Sequence, residues 1–301
     1  MTEPKQWAIE QHIKKNPKCE WLCTHTNQHN LGEVLEDTTD TNQASEVLQG
    51  DCLELMKDIP DGSVDMVITS PPYDNLRTYK DKLDWGEHIW KPVLEDLYRV
   101  LKDGGVVVWV VGDATIKGSE TCTSFKQALW AKEVGFNLHD TMIWEKTGML
   151  PTQDRYYAIF EYMFVFSKGK PAAMNFIEDK PNTAGGRVQK KDAVINKGKQ
   201  KTGTGTFVRK HFGRRTNIWR VAIGESYKHP AIFPLKLAQD HISTWSNDGG
   251  VILDPFAGSG TTGVAAQNLN RNFILMEQEP EYVEIIKKRL ELNKKRLEAE
   301  L

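Results

Sequence analysis

The run Val106–Val111 (VVVWVV) constrains this 301-residue chain more than any other feature. It is six apolar residues long, five of them valine, and leaves no polar face to turn towards water. Such a strand needs cover on both sides, the condition of a central strand in a parallel sheet flanked by helices. The neighbouring segments fit that setting. Glu46–Asp51 reads as a short strand ending in a turn, and Cys52–Ile59 carries Leu53, Met56 and Ile59 at helical spacing. Val64–Thr69 is a compact strand cut off by Ser70-Pro71-Pro72. A helix is predicted from about Trp85 to Lys102, closed by Gly104-Gly105 in a left-handed cap.

The alternation continues to the end of the chain. Ser124–Val134 reads as a helix stopped by Gly135, and Thr141–Lys146 and Tyr157–Ser167 as strands. The alternation within Tyr157–Ser167 suits an antiparallel partner. Phe233–Trp245 is a predicted helix, Gly250–Leu253 a buried strand, Thr262–Leu269 a helix and Phe273–Glu277 a strand. From Glu281 onwards the chain is a charged amphipathic helix with Val283, Ile286, Leu290 and Leu297 on one side. The expectation is an α/β, Rossmann-like, doubly wound and mostly parallel sheet.

One segment breaks the rhythm. Residues 168–220 hold fourteen Lys or Arg against Glu178, Asp179 and Asp192, a charge of +11 within a chain of net charge −2. This is the footprint expected for a polyanion partner. Its cations are densest at Arg209, Lys210, His211, Arg214 and Arg215. Four divisions follow: a polar N-terminal arm at 1–44, a first α/β half at 45–167, a basic insertion at 168–225 and a second half at 226–301. No apolar run approaches the ~18 residues that span a bilayer. The N-terminus has no apolar core of a secretory signal, so the cytoplasm is the expected location. In the arm, Cys19, Cys23, His25 and His29 lie within eleven residues, a spacing open to zinc. A polar arm without a metal is the reading adopted.

Two motifs carry chemistry. Asp254-Pro255-Phe256-Ala257-Gly258-Ser259-Gly260-Thr261-Thr262 follows an apolar strand and precedes a helix. Its glycines allow close backbone approach, and the helix start offers free N–H groups. Open α/β sheets bind cofactors at this position, and the next strand ends in Glu277, a carboxylate suited to paired ribose hydroxyls. Thr69-Ser70-Pro71-Pro72-Tyr73 also ends a strand. Its prolines stiffen the turn and remove two donors, and the Ser70 hydroxyl and the Pro71 carbonyl can both accept a hydrogen bond. Tyr73 offers a flat face for stacking.

Together these motifs resemble the amino-methyltransferases of DNA, whose catalytic motif is Ser- or Asp-Pro-Pro-Tyr and whose cofactor motif is Asp-Pro-Phe-x-Gly-Ser-Gly-Thr. The catalytic motif comes first and a basic segment separates the two, as in the circularly permuted, beta-type members. The likeness covers roughly residues 45–292. It implies a methyltransferase fold with a target-recognition region inserted at 168–225, S-adenosylmethionine as cofactor and double-stranded DNA as partner; a homodimer is compatible with it. It places Ser70, Pro71, Pro72 and Tyr73 in catalysis. Asp51, Asp254, Pro255, Phe256, Gly258, Ser259, Gly260, Thr261 and Glu277 fall at the cofactor, with Asp51 at the adenine amino group. His229-Pro230 and Phe233-Pro234 resemble, more loosely, the segment that closes over the methionine part. Arg209, Lys210, Arg214 and Arg215 are the expected DNA contacts.

The implied reaction is direct methyl transfer to an exocyclic amino group of a flipped-out base. In the family, serine at the first motif position leans towards cytosine N4 and aspartate towards adenine N6. Ser70 therefore favours cytosine, in a restriction–modification or epigenetic setting. No cysteine follows a proline, which argues against ring-carbon methylation. Adenine N6 is the alternative, and a non-catalytic DNA-binding protein on the same scaffold is the alternative of another class.

Overall fold

Eight strands build the main sheet of the computed structural model: β1 (Glu46–Gln49), β2 (Val64–Thr69), β3 (Leu101–Val111), β4 (Asn137–Leu150), β5 (Ala158–Ser167), β6 (Ile218–Val221), β7 (Val251–Asp254) and β8 (Asn272–Glu277). Their lateral order is β1-β8-β7-β2-β3-β5-β4-β6. Every neighbouring pair is parallel except the two made by β5, which runs antiparallel between β3 and β4. The helices are α1 (Cys52–Leu55, continuing as a 3-10 turn Met56–Asp58), α2 (Glu87–Val100), α3 (Thr123–Val134), α4 (Leu235–Trp245), α5 (Thr261–Asn268) and α6 (Pro280–Glu300). The structure describes residues 45–72, 85–150, 154–190, 194–196, 199–201, 206–223 and 234–300. These belong to one compact unit, Gln43–Leu301. The other unit, Met1–Asn42, lies outside the described residues together with the Cys19/Cys23/His25/His29 cluster.

The apolar run of β3 is covered on both faces, and residue parity decides which layer each side chain joins. Val107, Trp109 and Val111 pack with Trp90, Leu94 and Leu97 of α2 and Ala128 and Ala131 of α3. Val106, Val108 and Val110 pack with Leu237 and Ile242 of α4, Ala265 of α5 and Ile286 and Leu290 of α6. Each fully buried large side chain contributes about 1.5–3 kcal/mol. A polar residue at either parity would thus open one of the two cores. In α6, Val283, Ile286 and Leu290 are buried as the spacing predicts, whereas Leu297 is half-buried.

Two expectations need correction. The helix predicted to run to Lys102 stops at Val100, and Leu101 is already extended and opens β3. Gly104 does have positive φ (+80°), yet it caps no helix. It lets the strand pass close to the 168–172 segment, with the Ala172 N–H donating to its carbonyl at 2.9 Å. A Cβ on Gly104 would sit 2.8 Å from Ala172 Cβ.

Within the basic segment, read as an insertion, the described residues pair as a two-stranded ribbon. Lys180–Pro181 pairs with Phe212–Gly213, Val188–Lys190 with Thr206–Val208 and Val194–Asn196 with Lys199–Lys201, all antiparallel. Lys180–Pro181 and Thr206–Val208 are exposed throughout, so no apolar alternation announces them. Ile218–Val221 (β6) then returns to the main sheet as its edge strand, inside the span expected to be insertion.

Candidate active site

The two motifs emerge side by side because β2 and β7 are adjacent and parallel, with Met66 opposite Ile252 and Val67 opposite Leu253. Asp254 joins them. Its carboxylate accepts from Thr69 Oγ1 at 2.7 Å, from Thr262 Oγ1 at 2.6 Å and from the Phe256 N–H at 3.1 Å. The side chain is enclosed at 1% exposure. Burial pushes its pKa up to about 6, against the three hydrogen bonds that favour the anion. One carboxylate thereby fixes the strand before the Ser-Pro-Pro turn, the glycine loop and the start of α5.

The loop itself is shaped by close approaches. The Gly258 N–H donates to Glu277 Oε2 at 2.8 Å and the Glu279 N–H to Oε1 at 3.0 Å. Burial raises the Glu277 pKa. Gly260 has φ +80°, and a Cβ there would press to 3.0 Å against Ile286. Ser259 is buried, and its hydroxyl accepts from Arg289 Nη1 of α6 at 2.8 Å. Pro255 is buried and Phe256 half-buried. Thr261 opens α5 with a buried hydroxyl that has no hydrogen-bond partner among the described residues.

The neighbouring strand ends complete the mouth. The Gly50 N–H donates to the Glu277 carbonyl at 3.0 Å, which brings the β1 turn alongside β8. Asp51 is exposed there and caps α1 by accepting from the Leu53 N–H at 2.8 Å. Ser70 and Pro72 are half-buried and Pro71 is buried at the end of β2. Tyr73, His229, Pro230 and Phe233 lie outside the described residues.

Several site residues were not legible beforehand. Thr69 and Arg289 act through partners far away in sequence, Asp254 and Ser259, while Thr262 reaches Asp254 across its own loop. Trp85 meets Phe256 edge-on, with ring centroids 5.6 Å apart at 86°. Its indole N–H is buried without a partner among the described residues. Both threonines stood inside the quoted motifs, but only strand adjacency gives Thr69 its partner. Nothing in the sequence marked Trp85.

The four cations expected at DNA occupy different settings. Lys210 pairs with Glu178 at 2.7 Å, and Arg214 lies over the Phe176 ring at 4.4 Å. Arg215 is held by Asp179 and Asp240, while Arg209 has no side-chain hydrogen bond or ion pair among the described residues. Cys52 is buried and Cys122 exposed, both free thiols. Among the described residues there is no His/Cys/Asp/Glu group able to hold a metal, and no helix long and apolar enough to cross a membrane.

A mostly parallel sheet with a glycine loop and a Ser-Pro-Pro turn on adjacent strand ends frames a cofactor-binding α/β enzyme, and the family comparison makes the class specific. Residues 64–288 match the DNA methylase family of N6 and N4 methyltransferases, and this chain belongs to it. It is 47% identical over 253 residues to the orphan methyltransferase M.BamHII of Bacillus amyloliquefaciens, covering 78% of this chain and 92% of that protein. It is 27% identical to the type II methyltransferase M.SmaI of Serratia marcescens, covering 88% and 98%. Among solved structures, the PvuII DNA methyltransferase (cytosine-N4-specific) shares the fold at TM-score 0.61 and 23% identity, covering 82% of this chain and 87% of that one. A DNA modification methylase of Thermus thermophilus, complexed with S-adenosyl-L-methionine, matches at TM-score 0.55 and 25% identity, covering 82% and 95%.

Proposed function

We propose that this DNA methylase transfers a methyl group to the exocyclic N4 of cytosine in double-stranded DNA, in the permuted, beta-type arrangement. The methyl donor is S-adenosyl-L-methionine. The observation that carries the reading is the Thr69–Asp254 hydrogen bond, which ties the Ser-Pro-Pro turn to the glycine loop at 2.7 Å. Methyl transfer requires acceptor and donor sites in fixed proximity, and a buried carboxylate shared by the two motifs supplies it.

The loop suits this cofactor. It offers backbone N–H groups at the start of α5 and the Thr261 hydroxyl, and the packed Trp85 adds its indole N–H, neither side chain having a partner among the described residues. Phe256 and Trp85 would bound the adenine, and Glu277 would hold the ribose. Each Glu277 oxygen accepts one backbone N–H and keeps a lone pair for a hydroxyl. Asp51 would likewise use its second oxygen for the adenine amino group. Asp254 and Ser259, committed to protein partners, would shape the loop without touching the ligand. When bound, the cofactor supplies an already activated methyl group on a sulfonium centre.

The chain's task at the base is to localise the amino lone pair. Ser70 Oγ and the Pro71 carbonyl would accept hydrogen bonds from the amino N–H groups, the one proton lost after methyl transfer would leave to solvent, and Tyr73 would stack on the flipped base. Ser70, in place of an aspartate, is the reason for choosing cytosine. The reading puts the enzyme in the cytoplasm and leaves room for a homodimer. Mass spectrometry of nucleosides from genomic DNA incubated with the protein and S-adenosylmethionine tests it. N4-methylcytosine is expected; N6-methyladenine would overturn the base assignment, and no methylated nucleoside would overturn the DNA substrate.

A further inference from the structure

The cations of the ribbon differ sharply in how far the protein already neutralises them. Arg215 stands where the ribbon joins the sheet. Its Nε lies 2.9 Å from Asp179 Oδ2 and its Nη1 2.7 Å from Asp240 Oδ2. Asp240 is a buried residue of α4. The guanidinium lies over the Trp219 ring at 5.0 Å, and Trp219 in turn stacks on buried His241 at 4.4 Å. The Arg215 N–H donates to the Ile177 carbonyl at 2.9 Å. A guanidinium shared by two carboxylates and leaning on a buried ring braces the ribbon against α4 and β6. It holds no uncompensated charge to offer a phosphate.

Arg187 and Arg209 are the opposite case. Pro181 pairs with Phe212 and Val188 with Val208, so the first ribbon strand carries three extra residues between these pairs. The excess forms a bulge with Gly186 at φ +80°. The Gly186 N–H donates to the Arg209 carbonyl at 2.8 Å, and the Arg209 N–H to the Arg187 carbonyl at 3.0 Å. The two arginines are therefore immediate cross-strand neighbours. Both are exposed, and neither side chain has a hydrogen bond or ion pair among the described residues. The nearby acids Glu178 and Asp179 are already taken by Lys210 and Arg215. Like charges set directly across a ladder oppose folding. An anion between them removes that cost, and paired guanidinium forks match a phosphodiester.

We propose that Arg187 and Arg209 form a backbone-phosphate site at the base of the ribbon, and that Arg215 is a positioning residue that holds the ribbon without contacting DNA. The inference rests on the reading of double-stranded DNA as substrate. A two-stranded ribbon also has the width that the major groove admits.

Salt dependence separates the two roles, because each neutralised phosphate contributes about 0.9 to the slope of log affinity against log salt. The probe is a fluorescent mixed-sequence duplex, titrated with the full chain in S-adenosylhomocysteine. The double variant R187A/R209A is expected to lower the slope by about 1–2, with S-adenosylhomocysteine affinity unchanged. R215A is expected to weaken binding at every salt concentration with the wild-type slope. If R215A loses S-adenosylhomocysteine binding through misfolding, R215K takes its place, with a raised KM for DNA, wild-type kcat and wild-type slope expected. A wild-type slope in R187A/R209A overturns the phosphate site, and a reduced slope in the Arg215 variant overturns the brace. Absence of any low-salt duplex binding by the wild type would overturn the DNA reading beneath both.

Discussion

The glycine loop after β7 and the basic ribbon both serve polar ligands in this reading, yet they are built in opposite ways. In the loop the carboxylates and the Ser259 hydroxyl are committed to defined protein partners. Asp254 serves three donors, Glu277 two and Ser259 one. In the ribbon Thr206–Val208 is exposed along its length, and Phe207, Val208 and Phe212 stand 43%, 63% and 52% exposed. The loop positions individual atoms, so each substitution there has a specific consequence. The ribbon supplies charge along a polyanion, so its contributions add and partly replace one another.

The sharpest test of this contrast is the Ser-Pro-Pro turn, where one oxygen has one task. Ser70→Ala is expected to lower kcat by about 100-fold or more, the range for a positioned hydrogen-bonding group at the reacting centre. Cofactor affinity and the salt slope for DNA should stay at wild-type values. A kcat within a few-fold of wild type would place hydrogen-bond acceptance elsewhere, with the Pro71 carbonyl the next candidate. No single cation of the ribbon should approach this effect on kcat.

The next effect concerns stability and follows from burial. Asp254 has a pKa of about 6 in the folded protein, against about 3.9 in an unfolded chain. The folded state therefore holds an extra proton between these values. That contribution is fully present below pH ~4 and is lost as pH rises through 6. His241 works in the other direction: burial pushes its pKa down to about 3, so its contribution is present above pH ~6.5 and lost on acidification. The two offset each other between about pH 4 and 6. Asp254→Asn removes one of them. Urea unfolding should show D254N losing about 2 kcal/mol relative to wild type as pH falls from about 6.5 to 4.5. Parallel pH profiles for the two proteins would mean that the Asp254 carboxyl is ionised throughout.

How much of this could be read beforehand divides along the same line. The sheet, the helix faces and both motif positions were legible because buried strands leave continuous apolar runs and tight ligand turns leave glycine and proline. Val106–Val111 alone implied cover on both faces, and the two parities of that run do separate into two cores. The ribbon was not legible, since an exposed strand such as Thr206–Val208 imposes no apolar alternation. Charge density grouped Arg209 with Arg215 although the fold gives them different neighbours. Nor could spacing reveal that Asp254 faces Thr69 and not solvent, because that depends on which strands are neighbours. At Gly104 the local signal was right about backbone conformation and wrong about its cause, a close approach by Ala172 in place of a helix cap.

Trp85 offers the smallest expected effect and the finest test of whether the loop works atom by atom. Its ring packs edge-on against Phe256, and its N–H is buried with no partner among the described residues. An orphaned buried donor is costly, and a ligand acceptor would relieve it. Trp85→Phe retains an aromatic ring and removes only that donor together with part of the indole area. If the N–H meets the cofactor, calorimetry should show S-adenosylhomocysteine affinity falling about 5-fold, the worth of one neutral hydrogen bond of about 1 kcal/mol. The unliganded variant should be no less stable than wild type beyond the area lost, since the deleted group was unsatisfied. Unchanged affinity would make Trp85 a packing residue that merely sets the Phe256 ring. In that case the Thr261 hydroxyl would be the one orphaned polar group of the described loop left for the cofactor to satisfy.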